Sequence, residues 1–340
     1  MTAFLRAGPA AAGVRLWLQQ HATGIALCAT TAIASAHLAS QFGGSTFLYA
    51  LILGAALHPL SQVEFAAPGI DWCTRTLLRC GVALLGARLT WAQISALGMV
   101  HVAIVGAAVV STIVFGIVLA SRLKMERWQG LLSGGATAIC GASAALALAA
   151  ALPKGPEKDR FTLVVVVAVS ALSTVAMVAY PLVATLLRLT PPQAGLFLGG
   201  TIHDVAQVVA AGFMLSDAVG EYATVVKLLR VSLLALVVAA AALAYRASSG
   251  AGHARVPVLP WFLILFAALA AANSLSWLSL AAVSTADIGS RFCLLVAVSA
   301  LGAKSSMRKL ASAGWRTGLL LLAETLWLAI FVLACIRFIA

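Results

Sequence analysis

Apolar runs bounded by charged, glycine or proline positions succeed one another along almost the whole chain. They fall at about residues 23–40, 45–60, 72–89, 97–120, 128–151, 161–186, 192–213, 223–245, 259–278, 283–303 and 316–338, where a membrane helix needs roughly 20 apolar residues. The pattern predicts an all-α polytopic membrane protein with about 11 transmembrane helices, the second of them short. Ala34-Ser35-Ala36 imitates a signal-peptide cleavage site, but about 22 residues precede the first run and further runs follow, so it reads as a first membrane helix.

Composition agrees. Of 340 residues, 62% are apolar and 9% charged, against about half and a quarter in soluble domains, which leaves little room for a water-soluble fold. The net charge of +12 forms no nucleic-acid-binding stripe, because most cations lie in short loops, where they set orientation. With the N-terminus placed inside, Arg6, Arg15, Arg122, Lys124, Arg127, Arg188, Arg246, Arg255, Lys304, Arg308, Lys309 and Arg316 are cytoplasmic. Arg88, Lys154, Lys158, Arg160 and Arg337 are external, and twelve against five favours N-in and C-out. The six cysteines form no C-x-x-C pair, so neither a disulfide framework nor a metal site is expected.

Eleven runs divide into an extra N-terminal helix (residues 1–40) and two five-helix units, 45–186 and 192–338, within one membrane domain. Two odd units in tandem insert with opposite topology, as in inverted-repeat transporters. Arg75 and Arg79 opening the third run, and Lys227 and Arg230 opening the eighth, are then expected as symmetric cation pairs. A second likeness, Leu85-Gly86-Ala87-Arg88 with Gly98 and Leu301-Gly302-Ala303-Lys304 with Gly314, does not fit that division and reads as similar helix-end chemistry or chance.

Two runs carry unusual chemistry. Gly134 to Ser143 is a stretch of small residues. Either they let helices pack closely, or Gly134, Gly135 and Gly141 allow a helix to break, exposing N–H groups that attract anions, with Thr137 and Ser143 adding hydroxyls. In the seventh run, His203, Asp204 and Gln207 share one turn. Intramembrane ionisable residues are costly and functional by default; the bland alternative is a polar cluster pinning helices. Arg75, Arg79, Lys227 and Arg230 lie near run ends and could simply snorkel. Arg291 follows Asp287 by four residues, which could make a neutral pair. Glu324 lies well within the last run with no evident local partner. Five buried-run cations against three acids favour a negatively charged cargo.

The stretches Leu77 to Leu89, Ala138-Ile139-Cys140-Gly141-Ala142-Ser143-Ala144, His203 to Gly212 and Val226 to Val231 resemble the YeiH-type family of bacterial inner-membrane proteins, described as sulfate exporters. The family's acid after the histidine is often Glu, here Asp204, and its proline soon after the small-residue block is here first met at Pro153. The resemblance implies an inner-membrane inverted-repeat transporter similar to the cation/proton antiporter and anion transporter group, with two broken helices crossing at mid-membrane. Under the five-helix division those are runs five and ten, the latter carrying Asp287, Gly289, Ser290 and Arg291.

The expected function is secondary active transport of a small inorganic or organosulfur anion by alternating access. Gly135, Thr137, Gly141, Ser143, Arg291 and the pairs Arg75/Arg79 and Lys227/Arg230 are the expected anion-binding residues. His203, Asp204, Gln207 and Asp287 are the coupling residues, since a carboxylate or imidazole in a partly dry site can exchange a proton near neutral pH. The lipid bilayer is the surroundings, a homodimer is open, and no cofactor is expected. Two other classes stay open: an anion channel, and a membrane-embedded enzyme using His203 and Asp204 on a lipid or quinone. No P-loop is present in the sequence.

Overall fold

The computed structural model describes residues 9–89, 98–152, 155–246, 260–304 and 315–339. Of the residues singled out above, Arg6, Pro153, Lys154, Arg255, Arg308, Lys309 and Gly314 lie outside the described residues. All regular structure among the described residues is helical. The α-helices are α1 (Pro9–Phe42), α2 (Thr46–Ala56), α3 (Ala67–Trp72), α4 (Leu78–Leu85), α5 (Gly98–Arg122), α6 (Arg127–Ala138), α7 (Ala142–Ala151) and α8 (Pro156–Leu186). They continue as α9 (Pro191–Thr201), α10 (Val205–Leu215), α11 (Asp217–Ser232), α12 (Leu234–Arg246), α13 (Trp261–Ser274), α14 (Leu280–Lys304) and α15 (Trp315–Ile339). Six described stretches are long and apolar enough to cross a membrane: Trp17–Phe42, Gly98–Arg122, Pro156–Leu186, Asp217–Tyr245, Leu280–Lys304 and Trp315–Phe338.

The chain forms two units. The first comprises Met1–Gly81 and Ile288–Ser305. Here α1 packs on α2 and α3, and the crossing with α3 is close because both faces are glycine: a Cβ on Gly24 would lie 2.2 Å from the Ala66 carbonyl oxygen. A single π-helical turn, Cys73–Leu77, joins α3 to α4. Polar ties close the unit: Lys304 pairs with Asp71 at 2.5 Å, and His58 Nδ1 lies 2.8 Å from the Ala303 carbonyl oxygen.

The second unit comprises Val82–Asp287 and Ser306–Ala340. In it α5 packs along α6, α11 packs against α9 and α10, and α15 lies against α5, α6, α8 and α9. Phe115 stacks on Trp327 with ring centroids 4.6 Å apart, joining α5 to α15.

Apart from the one-residue turn at Leu233 between α11 and α12, two apolar runs of this unit are interrupted. The fifth stops at Ala138 and restarts at Ala142. Gly141 makes this possible, since its φ of +61° and ψ of −125° lie where a side chain is strained. Gly134 and Gly135, expected to share in the break, sit inside α6 as contact points. A Cβ on Gly134 would lie 3.0 Å from Ile113 Cα, and one on Gly135 2.3 Å from a Leu148 methyl. The seventh run stops at Thr201 and restarts at Val205, with Ile202 extended and Asp204 as N-cap.

The expected break in the tenth run is not there. Leu280–Lys304 is one continuous helix of 25 residues. Gly289 has no positive φ, and the Ser290 hydroxyl donates to the Gly81 carbonyl at 2.7 Å instead of disturbing its own helix. The broken runs are five and seven. Under the division into runs 2–6 and 7–11 those would be the fourth and first members of their units, so this break pattern does not repeat across the division. The Leu85–Arg88 and Leu301–Lys304 stretches both end a helix, the first through a 3-10 turn.

Candidate functional site: a junction of two broken helices

The two breaks meet, and α11 ties them together. From it Lys227 and Arg230 enter fully buried, at 0% and 1% exposure. Lys227 Nζ donates to the carbonyls of Ile139 at 2.5 Å, Ile202 at 2.9 Å and His203. Arg230 Nε donates to Ala138 at 2.8 Å, Nη1 to Gly199 and Ile202, each at 3.0 Å, and Nη2 to Thr137 at 3.0 Å and Ala138 at 2.5 Å. An ammonium has three donors and a guanidinium five, so both complements are used. Their acceptors are the carbonyls at the C-terminal ends of α6 and α9, which a helix leaves without intrahelical partners and which carry its partial negative charge. The two cations therefore serve as shared C-caps for two half-helices. With every donor taken, the expected role of Lys227 and Arg230 as anion ligands gives way to this structural one.

His203, itself buried, crosses the junction. Its Nδ1 lies 3.0 Å from the Thr137 carbonyl oxygen and its Nε2 3.0 Å from Thr325 Oγ1 on α15. Asp204 Oδ1 accepts from the Ala206 N–H at 3.0 Å, while its own N–H donates to Ser173 Oγ of α8 at 3.1 Å. Gln207 Nε2 donates to Thr174 Oγ1 at 2.9 Å. Thr174 in turn donates to the Ser170 carbonyl, which fixes the amide orientation and leaves Gln207 Oε1 buried without a partner. The first turn of α7 has no side-chain cap; Ser143 is exposed and Ala142 half-buried. The junction thus has neutralised C-terminal ends and one uncapped N-terminal end.

Glu324 of α15 belongs to the same cluster. It is 0% exposed, accepting from Ser133 Oγ at 2.7 Å and from Thr137 Oγ1 at 3.1 Å, both on α6. The sequence marks it as an intramembrane acid but offers no local partner, because its partners lie nearly two hundred positions away.

A family model described as Conserved hypothetical protein 698 matches residues 23–322. The chain belongs to this family. It is 46% identical over 314 residues to the UPF0324 membrane protein TauZ of Paracoccus denitrificans, covering 91% of this chain and 93% of that protein. A UPF0324 membrane protein of Chlorobaculum tepidum is 43% identical over 316 residues, covering 92% and 88%, and one of Rhizobium meliloti 41% identical over 321 residues, covering 93% of each. No solved structure matches the chain. Family membership bears out the YeiH-type resemblance and makes this a membrane protein.

Other residues picked out for this family member's site lie elsewhere. Arg75 and Arg79 are exposed residues of the first unit, on the π-helical turn and α4. The burial of Lys227 and Arg230 has no counterpart there, so the expected symmetry of the two cation pairs is not observed. Arg291 is half-buried, also in the first unit. Asp287 pairs with Arg88 at 3.2 Å, and Arg88 also holds Glu221 at 3.1 Å. Arg88, expected as a loop cation, is thus a partly buried bridge. Of the expected residues, Thr137, Gly141, His203, Asp204, Lys227 and Arg230 come together at the junction, with Gln207 on the same first turn of α10. Gly135 lies one turn before the break and Ser143 just after it.

Proposed function

We propose that this protein is a secondary transporter of a small anion, such as sulfate or another sulfur oxyanion or sulfonate, working by alternating access in a bacterial inner membrane. The observation that carries the reading is the meeting of two interrupted helices whose C-terminal ends are neutralised by buried Lys227 and Arg230. Non-helical backbone at membrane depth is tolerated where it is buried in protein or lines a cavity, and half-helix N-termini are suited to anions. The uncapped start of α7, with Ser143, is the anion-facing element. Asp204, with His203 beside it, is the coupling group.

The broken segments add crossings to the six long apolar stretches. The 12 and 10 residues of α6 and α7 extend about 33 Å at helical rise, and α9 with α10 the same, against a hydrocarbon core of about 30 Å. With runs two, three and nine this gives eleven crossings, N-terminus inside and C-terminus outside.

The test is uptake of labelled sulfate, sulfite and alkylsulfonates into proteoliposomes. Saturable flux that responds to a pH gradient, and loses that response in Asp204→Asn, supports the reading. Linear, uncoupled flux indicates a channel instead, and no flux of any of the anions removes the proposal.

A further inference from the structure

We propose that Glu324 is a proton-binding site of the junction, separate from Asp204, exchanging its proton through the hydroxyl of Ser133. The coupling purpose of this proton rests on the transport reading above; the site does not. A fully buried carboxylate is costly unless paired. Yet among the described residues no Lys, Arg or His nitrogen lies within 4.0 Å of it, and its partners are the Ser133 and Thr137 hydroxyls.

Each helix around it presents something neutral. On α5 the neighbour is Gly116, where a Cβ would lie 2.5 Å from Oε1, so only glycine leaves room for the carboxyl. On α6 stand Ser133 and Thr137. On α8, Phe161, Val165, Ala168 and Leu172 form an apolar cluster with Leu321, one turn from Glu324. On α9, Gly200 faces Val332, about two turns further along α15. Among the described residues, charged and titratable groups come no nearer than through one intermediary: Arg230 holds the Thr137 carbonyl, His203 contacts that carbonyl and Thr325, and Lys227, Asp204 and Cys140 lie beyond the break.

Ser133 is built to follow the proton. Its hydroxyl lies 2.7 Å from Glu324 Oε1 and 3.4 Å from the Gly130 carbonyl oxygen. With the carboxylate ionised, Ser133 donates to Oε1. When a proton from solvent adds to Ser133 Oγ, the serine's own proton passes to Oε1, and the hydroxyl keeps the incoming proton and turns to donate it to Gly130 while accepting from the new Glu324 O–H; the reverse transfer returns a proton to solvent. Thr137 carries the change onward, since its side chain contacts Glu324 while its carbonyl is held by Arg230 at the break.

The test is infrared difference titration of the purified full chain, following the C=O stretch of protonated carboxyl groups as pH is lowered. The expected result is a band that is lost in Glu324→Gln and kept in Asp204→Asn. A spectrum unchanged by Glu324→Gln overturns the proposal, as does a band lost only in Asp204→Asn. Should Glu324→Gln fail to fold, Ser133→Ala serves: a shifted band midpoint supports the proposal and an unshifted one overturns it. Because the band is read without transport, a Glu324 band in a protein that moves no anion leaves the site standing and removes only the transport reading.

Discussion

Lys227 and Arg230 show how one residue's meaning changes with its surroundings. In the sequence each is a cation near the end of an apolar run, equally suited to snorkelling or to holding an anion. In the structure each spends its whole donor set on carbonyls of the two breaks. Removing such a residue leaves several buried acceptors unmet, at about 1–3 kcal/mol each. Lys227→Met is therefore expected to lose about 3 kcal/mol or more, seen as a lowered thermal midpoint of the detergent-purified protein, and added sulfate should not restore it. Strong rescue by sulfate would return Lys227 to the anion site. Distant partners of this kind, like those of Glu324, are not readable from neighbouring residues, which is why the sequence identifies the ionisable groups but not what they hold.

At the level of elements, the fifth run was legible because a glycine marks its break, and Gly141 does sit there with a positive φ. The same reasoning misplaced the second break in run ten, where Gly289 and Ser290 stay helical. The better signal was a helix start in mid-run: an N-cap residue followed three positions later by glutamine. Glu126 with Gln129 opens α6 and Thr190 with Gln193 opens α9, both as closed capping boxes. Asp204 with Gln207 opens α10 with the same spacing. There the box is held open, because Ser173 takes the Asp204 N–H and Thr174 draws the glutamine away. Gly141→Ala tests the first break: forcing a side chain into that conformation costs about 1–3 kcal/mol. The nearest outside atom to the new Cβ would be His203 Cβ at 3.6 Å, so the loss should come from backbone strain alone. Gly141→Val should lose more, since valine's branches would also meet His203 and Val169, and a loss no larger than that of Gly141→Ala would contradict this packing of the break.

For the whole molecule, the distribution of cations and the broken segments make one joint claim about sidedness. If α6 and α7 together cross the membrane, Lys124, just before α6, and Glu157, in the first turn of α8, lie on opposite faces. The chain-wide ratio of twelve cations to five in the N-in arrangement then predicts a cytoplasmic α5–α6 connection. Single cysteines placed at 124 and 157 in a chain otherwise freed of its six cysteines test this with a membrane-impermeant maleimide on intact cells. Labelling is expected at 157 and, at 124, only after the membrane is opened. Equal labelling of both from outside would mean that the segment dips in and returns, so that its break would open to one side only and alternating access through it would fail. The reverse pattern would keep the crossing but turn the molecule over, placing the uncapped start of α7 in the half of the membrane opposite to the one expected.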